Sequence, residues 1–155
     1  MLLATGMSLT GEYEPSPAQW VRDQVEEYEG SGGTLGTTLR DTGQPVVVVT
    51  NVGARTGKVR KTPLMRVEHQ GKYLAVGSKG GAPQHPLWVH NLRANARIEV
   101  QDGPVKQEMA AREISGAERA QWWERAVAAF PPYAEYQQKT SRLIPLFVLE
   151  PLSQS

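Results

Sequence analysis

The chain has 155 residues, 39% of them apolar, and its 17 basic and 16 acidic side chains leave a net charge of +1. That is the size of one domain with enough apolar material for a core. It excludes a highly charged disordered chain, and it gives no global bias toward nucleic acid. With no cysteine, disulfide scaffolds, thiolate catalysis and cysteine-bound zinc or iron–sulfur centres are excluded as well.

Residues 1–15 read as a flexible N-terminal segment, and 16–155 as a single domain. The start, Met1-Leu2-Leu3-Ala4, lacks the basic n-region and long apolar stretch of a signal peptide. No apolar run reaches the roughly 18 residues of a membrane span. The expected location is the cytoplasm, at most peripheral at the inner face of the membrane. There the apolar start, Trp20 and Tyr28 could make contact, while Glu26, Glu27 and Glu29 oppose an anionic surface.

Ser16-Pro17 has the form of an N-cap and first helical residue, for a helix through Trp20, Val21, Val25 and Tyr28 that stops at Gly30. Gly30-Ser31-Gly32-Gly33 connects it onward. Val46–Thr50 is β-branched throughout, as suits a strand buried on both faces. A polar loop over 53–61 leads to a strand over 62–68, which a Gln70-Gly71 turn would fold into a hairpin with 72–77. Pro86 opens a short helix to about Asn95. Asp102-Gly103 signals a second hairpin between 97–101 and 105–112. Ser115-x-x-Glu118 reads as a capping box for a helix to Ala129, ended by Pro131-Pro132. A short helix over 133–139 and an apolar strand over 146–149 complete the chain. Hairpins, few helices and a closing strand predict a mainly β fold with flanking helices, a small barrel rather than an open α+β sheet.

Gly53-Ala54-Arg55-Thr56-Gly57-Lys58 is not a Walker loop: only three residues separate its glycines, and Val59 follows the lysine. Nor does Gly30-Ser31-Gly32 have Rossmann spacing. Arg55, Lys58, Arg60 and Lys61 nevertheless fall within seven residues with no acid among them. A solvated turn is the ordinary fate of such a run. Arginine and lysine beside glycine amides also suit a phosphate or carboxylate. Ser78-Lys79-Gly80-Gly81, after a predicted strand, offers a second cation and a hydroxyl. Tyr133 and Tyr136 share a helix face. His69, His85 and His90 have no metal-ligand spacing, and neither HExxH nor GxSxG occurs. An enzyme with this inventory would rely on a bound cofactor for its chemistry. The basic residues are confined and no aromatic ladder interleaves them, which speaks against nucleic acid.

The order of these motifs resembles the deazaflavin-dependent nitroreductase and quinone reductase family of actinobacteria. The residues that carry it are Gly53–Lys58, Pro63-Leu64, Gly77–Gly81, Pro86–Asn95, Tyr133 to Tyr136 and Ile144 to Pro151. The resemblance implies a split β-barrel of the type that holds flavin mononucleotide. Its cofactor would be coenzyme F420, an 8-hydroxy-5-deazaflavin with a phosphodiester, a lactyl carboxylate and an oligoglutamate tail. Flavin mononucleotide is the alternative cofactor, and a non-catalytic deazaflavin carrier the alternative role. The implied reaction is hydride transfer to a quinone, nitroaromatic or similar electrophile. The implied cofactor site comprises Val48, Val49 and Thr50; Ala54, Arg55, Thr56, Gly57, Lys58, Val59 and Arg60; Leu64, Met65 and Arg66; Ala75, Val76, Gly77, Ser78 and Lys79; and Tyr133. Ser78, Tyr133 and Tyr136 are the implied proton donors or orienting groups. Met65 and Phe130 stand where well-known nitroreductase members carry tyrosine, which argues against activity on bicyclic nitroimidazoles.

Overall fold

The structure, a computed structural model, describes residues 9–39 and 42–152. Its elements in chain order are α1 (Gln19–Gly30), β1 (Thr38–Leu39), β2 (Gln44–Val52), β3 (Val59–Met65), β4 (Glu68–His69), β5 (Lys72–Val76), α2 (Leu87–Ala94), β6 (Arg97–Asp102), β7 (Val105–Glu113), α3 (Gly116–Ala129), α4 (Pro132–Lys139) and β8 (Leu146–Pro151). All strand pairs are antiparallel, in the order β1-β2-β6-β7-β8-β5-β4, with β3 on the other side of β2.

The ring closes between two adjacent residues. The Arg66 N–H donates to the Pro45 carbonyl of β2, whereas the Val67 carbonyl accepts from Leu74 of β5, both at 2.9 Å. One bent segment, β3 followed by β4, therefore passes from β2 to β5. The Gln70-Gly71 turn forms as expected, but the hairpin between 62–68 and 72–77 is cut short: only the end of the first strand, from Val67, meets β5, and β3 runs its full length along β2. A local turn signal cannot tell which neighbour a strand takes once the sheet curls back on itself.

The strand period of two sorts the core. Val47 and Val49 face inward with Ile98, Val100, Met109, Phe147 and Leu149, joined by Trp88, Val89 and Leu92 of α2. Val46 and Val48 face outward with Leu74, Val76, Leu146 and Val148, covered by Tyr28 of α1, Trp122 and Ala126 of α3 and Tyr133 of α4. The all-branched strand is buried on both faces, as its composition implied.

Several boundaries move for identifiable reasons. α1 begins at Gln19 rather than Pro17, since the Ser16 hydroxyl accepts from the Ala18 N–H instead of capping the helix. α3 begins where expected, but the capping box does not form. The Glu118 carboxylate is taken by Arg112 at 2.8 Å, and the Ser115 side chain makes no cap bond. The second hairpin turns on Gly103-Pro104, with Asp102 paired to Val105; Gly103 supplies the positive φ of 61°. Glu12 and Glu14 hydrogen-bond through their backbones to Val59, which tethers part of the segment expected to be flexible. The remainder of that expectation, residues 1–8, lies outside the described residues. No helix among the described residues is long and apolar enough to cross a membrane.

Candidate functional site

Two clefts follow one another along β3 and the start of α2. The first, of about 370 Å³, is lined by Thr62, Pro63, Leu64 and Met65 of β3, by Val76, Ser78, Lys79 and Gly80 after β5, and by Pro86 and Trp88. Its remaining walls come from Trp20 and Val21 of α1, from Leu39, and from Phe130, Tyr133 and Tyr136. The second, of about 470 Å³, is lined by Gly53, Ala54, Arg55, Thr56, Arg60, Leu87, His90 and Asn91.

The apolar cleft owes its walls to helix and strand periodicity. Tyr133 and Tyr136 are one turn apart and meet edge-on at 6.2 Å, and Phe130 contacts both rings. Tyr133 is only 5% exposed. Burial and the neighbouring Tyr136 push its phenol well above the ordinary tyrosine value, so its O–H stays protonated at neutral pH. Ser78 is also buried. Lys79 supplies the cation on this side of the cleft.

The basic cleft is shaped by the turn after β2. Gly53 N–H donates to the Lys58 carbonyl at 2.8 Å, Gly57 N–H returns to Gly53 at 3.1 Å, and Gly57 has φ 70°. Asn91 of α2 fixes the turn in place. Its side-chain oxygen accepts from the Ala54 N–H and its amide donates to the buried Asn51 side chain, both at 2.9 Å. Arg60 is held only loosely, by a 3.5 Å ion pair with the partly exposed Glu14.

The structure brings together Ser78, Lys79, Val76, Leu64, Met65, Tyr133 and Tyr136 in the first cleft, and Ala54, Arg55, Thr56 and Arg60 in the second. It does not bring in the others. Val48, Val49, Thr50 and Ala75 are buried within the sheet and line neither cleft. Gly77 faces Val89 and Pro145. Gly57, Lys58 and Val59 shape the turn without lining either cleft. Arg66 lines neither cleft: its guanidinium pairs with Asp102 at 3.0 Å, and Tyr73 donates to the same carboxylate. Lys61 drops out of the basic cluster too, since it is bound by Glu29 at 2.7 Å and sits over the Tyr13 ring. Alternation along β3 puts Lys61 on the face opposite Arg60. Sequence reasoning did not find Asn91, His90 or the wall from α1. Asn91 stands one helical turn from Leu87, on a face that only the fold turns toward the glycine loop.

The fold is a split barrel, with an apolar, aromatic cleft beside a cationic one. HutZ, the haem storage protein of Vibrio cholerae, shares the fold, with a TM-score of 0.53 at 14% identity over 70% of this chain and 82% of that one. The particular family follows from the sequence. The profile of the F420H(2)-dependent quinone reductases matches residues 20–151, and the chain belongs to that family, a family of oxidoreductases whose cofactor is coenzyme F420. An F420H(2)-dependent quinone reductase of Mycobacterium tuberculosis is 34% identical over 125 residues, covering 79% of this chain and 83% of the relative. A solved F420-H2 dependent reductase, FDR-A, is 55% identical with a TM-score of 0.66, over 68% of this chain and 94% of that one.

Proposed function

We propose that this protein reduces a quinone with F420H2, binding the deazaflavin ring in the apolar cleft and its anionic tail in the basic one. The observation that supports this reading is the pairing of the two clefts along a single strand, β3. A flat ring fits between the Leu64–Met65 strand and the Ser78–Gly80 loop, and Arg55 and Arg60 match phosphate and carboxylate groups. The residues present therefore fit the cofactor.

When bound, the reduced deazaflavin supplies a hydride. The protein's own contribution is position, exclusion of water and a proton. Trp20, Phe130 and Tyr136 wall the cleft. In this reading Tyr133, protonated and buried, donates a hydrogen bond to the oxygen that gains charge, and Ser78 and Tyr136 are the further hydroxyls that orient the substrate. Met65 and Phe130 contribute no hydroxyl, so a quinone, whose ring needs mainly apolar contact, suits the cleft better than a nitroimidazole.

The direct test is titration with purified F420 and with flavin mononucleotide, followed by anaerobic F420H2 oxidation with menadione. Tight F420 binding and metal-independent turnover are expected. Binding without turnover on any quinone would point to a carrier, and preference for flavin mononucleotide would overturn the cofactor assignment. Tyr133→Phe removes a hydroxyl and almost no packing surface. It is expected to lower kcat about 10-fold while leaving cofactor affinity nearly unchanged. Kinetics equal to the parent across several quinones would remove Tyr133 as a donor and leave Ser78.

A further inference from the structure

The segment that carries Ser78, Lys79 and Gly80 into the apolar cleft has little structure of its own. Lys79, Gly80 and Gly81 form a three-residue 3-10 turn with φ of 46°, 63° and 84°. A lysine in the left-handed region persists only where its surroundings hold it there. The hold comes from a residue far away in sequence, on the link between α4 and β8. Arg142 donates from Nε to the Ala82 carbonyl at 2.8 Å, from Nη2 to Ser78 at 2.8 Å and from Nη1 to Gly77 at 3.1 Å. Its Nη1 also lies 2.9 Å from His85 Nδ1. A guanidinium only donates, so His85 must accept and its ring must be neutral.

The other end of the clamp is α4. Gln137 donates to the Arg142 carbonyl at 2.8 Å and accepts from the Ile144 N–H at 3.0 Å. Gln137 follows Tyr133 and Tyr136 on the same helix. The loop rests directly on that helix, since a Cβ at Gly81 would come within 2.8 Å of the Tyr136 carbonyl.

We propose that Arg142 is the positioning residue of this site, locking the Ser78–Lys79 loop to the tyrosine helix through its bonds to the loop carbonyls and its own carbonyl's bond from Gln137, with neutral His85 as a further acceptor that acid withdraws. The proposal rests on the reading of the apolar cleft as the deazaflavin site. Burial lowers the His85 pKa, and Arg142, Arg93 and His90, which face the ring, lower it further, while Glu113 opposes them. Arg93 is itself engaged by Glu113 at 2.9 Å, and the His90 ring lies 6.0 Å from that of His85. The folded state holds the neutral ring. Its stabilisation is complete above the ordinary imidazole pKa of about 6.5 and is lost as pH falls through the depressed folded value. Protonated His85 cannot accept from Arg142 and repels it.

Arg142→Lys separates the clamp from simple charge, because lysine keeps the cation and loses the planar fork. Hydrogen exchange of the 78–84 amides is expected to quicken at least 10-fold in this variant, with exchange in β2 and β6 unchanged. F420 affinity, read by fluorescence titration, is expected to fall about 10-fold, as far as in Arg142→Met. Exchange or affinity equal to the parent would overturn the proposal. If the parent itself does not bind F420, the functional reading fails, while the exchange result still decides whether the clamp exists. Acid release is read from the ratio of affinities at pH 5.5 and 7.5 in the parent and in His85→Gln, which accepts from Arg142 without titrating. Comparing the two ratios cancels any titration of the ligand. A loss in the parent that His85→Gln flattens is expected; equal ratios would overturn the release. That comparison also decides the proposal should Arg142→Lys fail to fold.

Discussion

The Arg55→Ala/Arg60→Ala double variant is expected to bind F420 at least about 100-fold more weakly than the parent. A hydrogen bond to a charged group contributes about 1.5–3 kcal/mol, so two lost contacts amount to about 3 kcal/mol or more. Arg60 is available for such a contact. Among the described residues its one ion pair, with Glu14, is 3.5 Å long with side chains 25% and 42% exposed, and pairs of that kind are worth little. Lys61 is the internal control. It carries the same charge one residue away, but is bound by Glu29 at 2.7 Å on the other face of β3. Lys61→Ala should therefore lower stability slightly and leave affinity near the parent value. Binding of the parent should weaken with salt, and binding of the double variant should depend on salt less. Unchanged affinity in the double variant would remove the anionic tail from this cleft. An equal loss in Lys61→Ala would mean that only the overall charge of the region matters.

The contrast between Arg60 and Lys61 shows what was legible in the chain and what was not. A run of four cations within seven residues marks a basic region, but strand alternation, fixed only once β3 is paired with β2, divides it. The valines of β2 announced a strand buried on both faces because their composition is the whole signal. Barrel closure was legible as a class and not as a pairing: the passage from Pro45 to Leu74 at Arg66-Val67 depends on curvature that no local turn residue encodes. Ser115 and Glu118 have capping spacing, yet Arg112 on β7 competes for the carboxylate and wins it. The Ser78–Gly81 loop and the tyrosine pair were visible as motifs. Arg142, 63 residues beyond Lys79 in the numbering, carried no signal at all, because a lone arginine between a helix and a strand looks like any other surface residue.

Gly33→Ala is expected to be among the most destabilising single methyl additions in the molecule, at about 3 kcal/mol or more. Gly33 follows α1 with φ 81°, and a Cβ there would overlap the backbone carbonyl of Gly103 at the tip of the β6–β7 hairpin. Neither side can yield cheaply. The Gly103 N–H donates to the Tyr28 hydroxyl at 2.7 Å, its carbonyl accepts from Gln101 Nε2 at 3.0 Å, and the Gly33 N–H donates to the Tyr28 carbonyl at 2.8 Å. Tyr28 is 1% exposed. Relieving the overlap requires moving α1 off the barrel, which displaces the Trp20 and Val21 wall of the apolar cleft as well. Gly32→Ala provides the comparison. It has a similar φ of 67° and nothing within 4 Å of the added methyl, so it should cost only the backbone strain, about 1 kcal/mol. Thermal unfolding should place Gly33→Ala roughly 6–12 °C below the parent, at about 2–4 °C per kcal/mol for a chain of this size. F420 affinity should fall with it at a temperature where the variant is still folded. If Gly33→Ala unfolds no earlier than Gly32→Ala, the contact between the end of α1 and the β6–β7 turn does not hold the helix in place, and the α1 wall of the cleft is fixed instead by buried Val25 and Tyr28, the Gln24 hydrogen bonds and the Glu29–Lys61 ion pair.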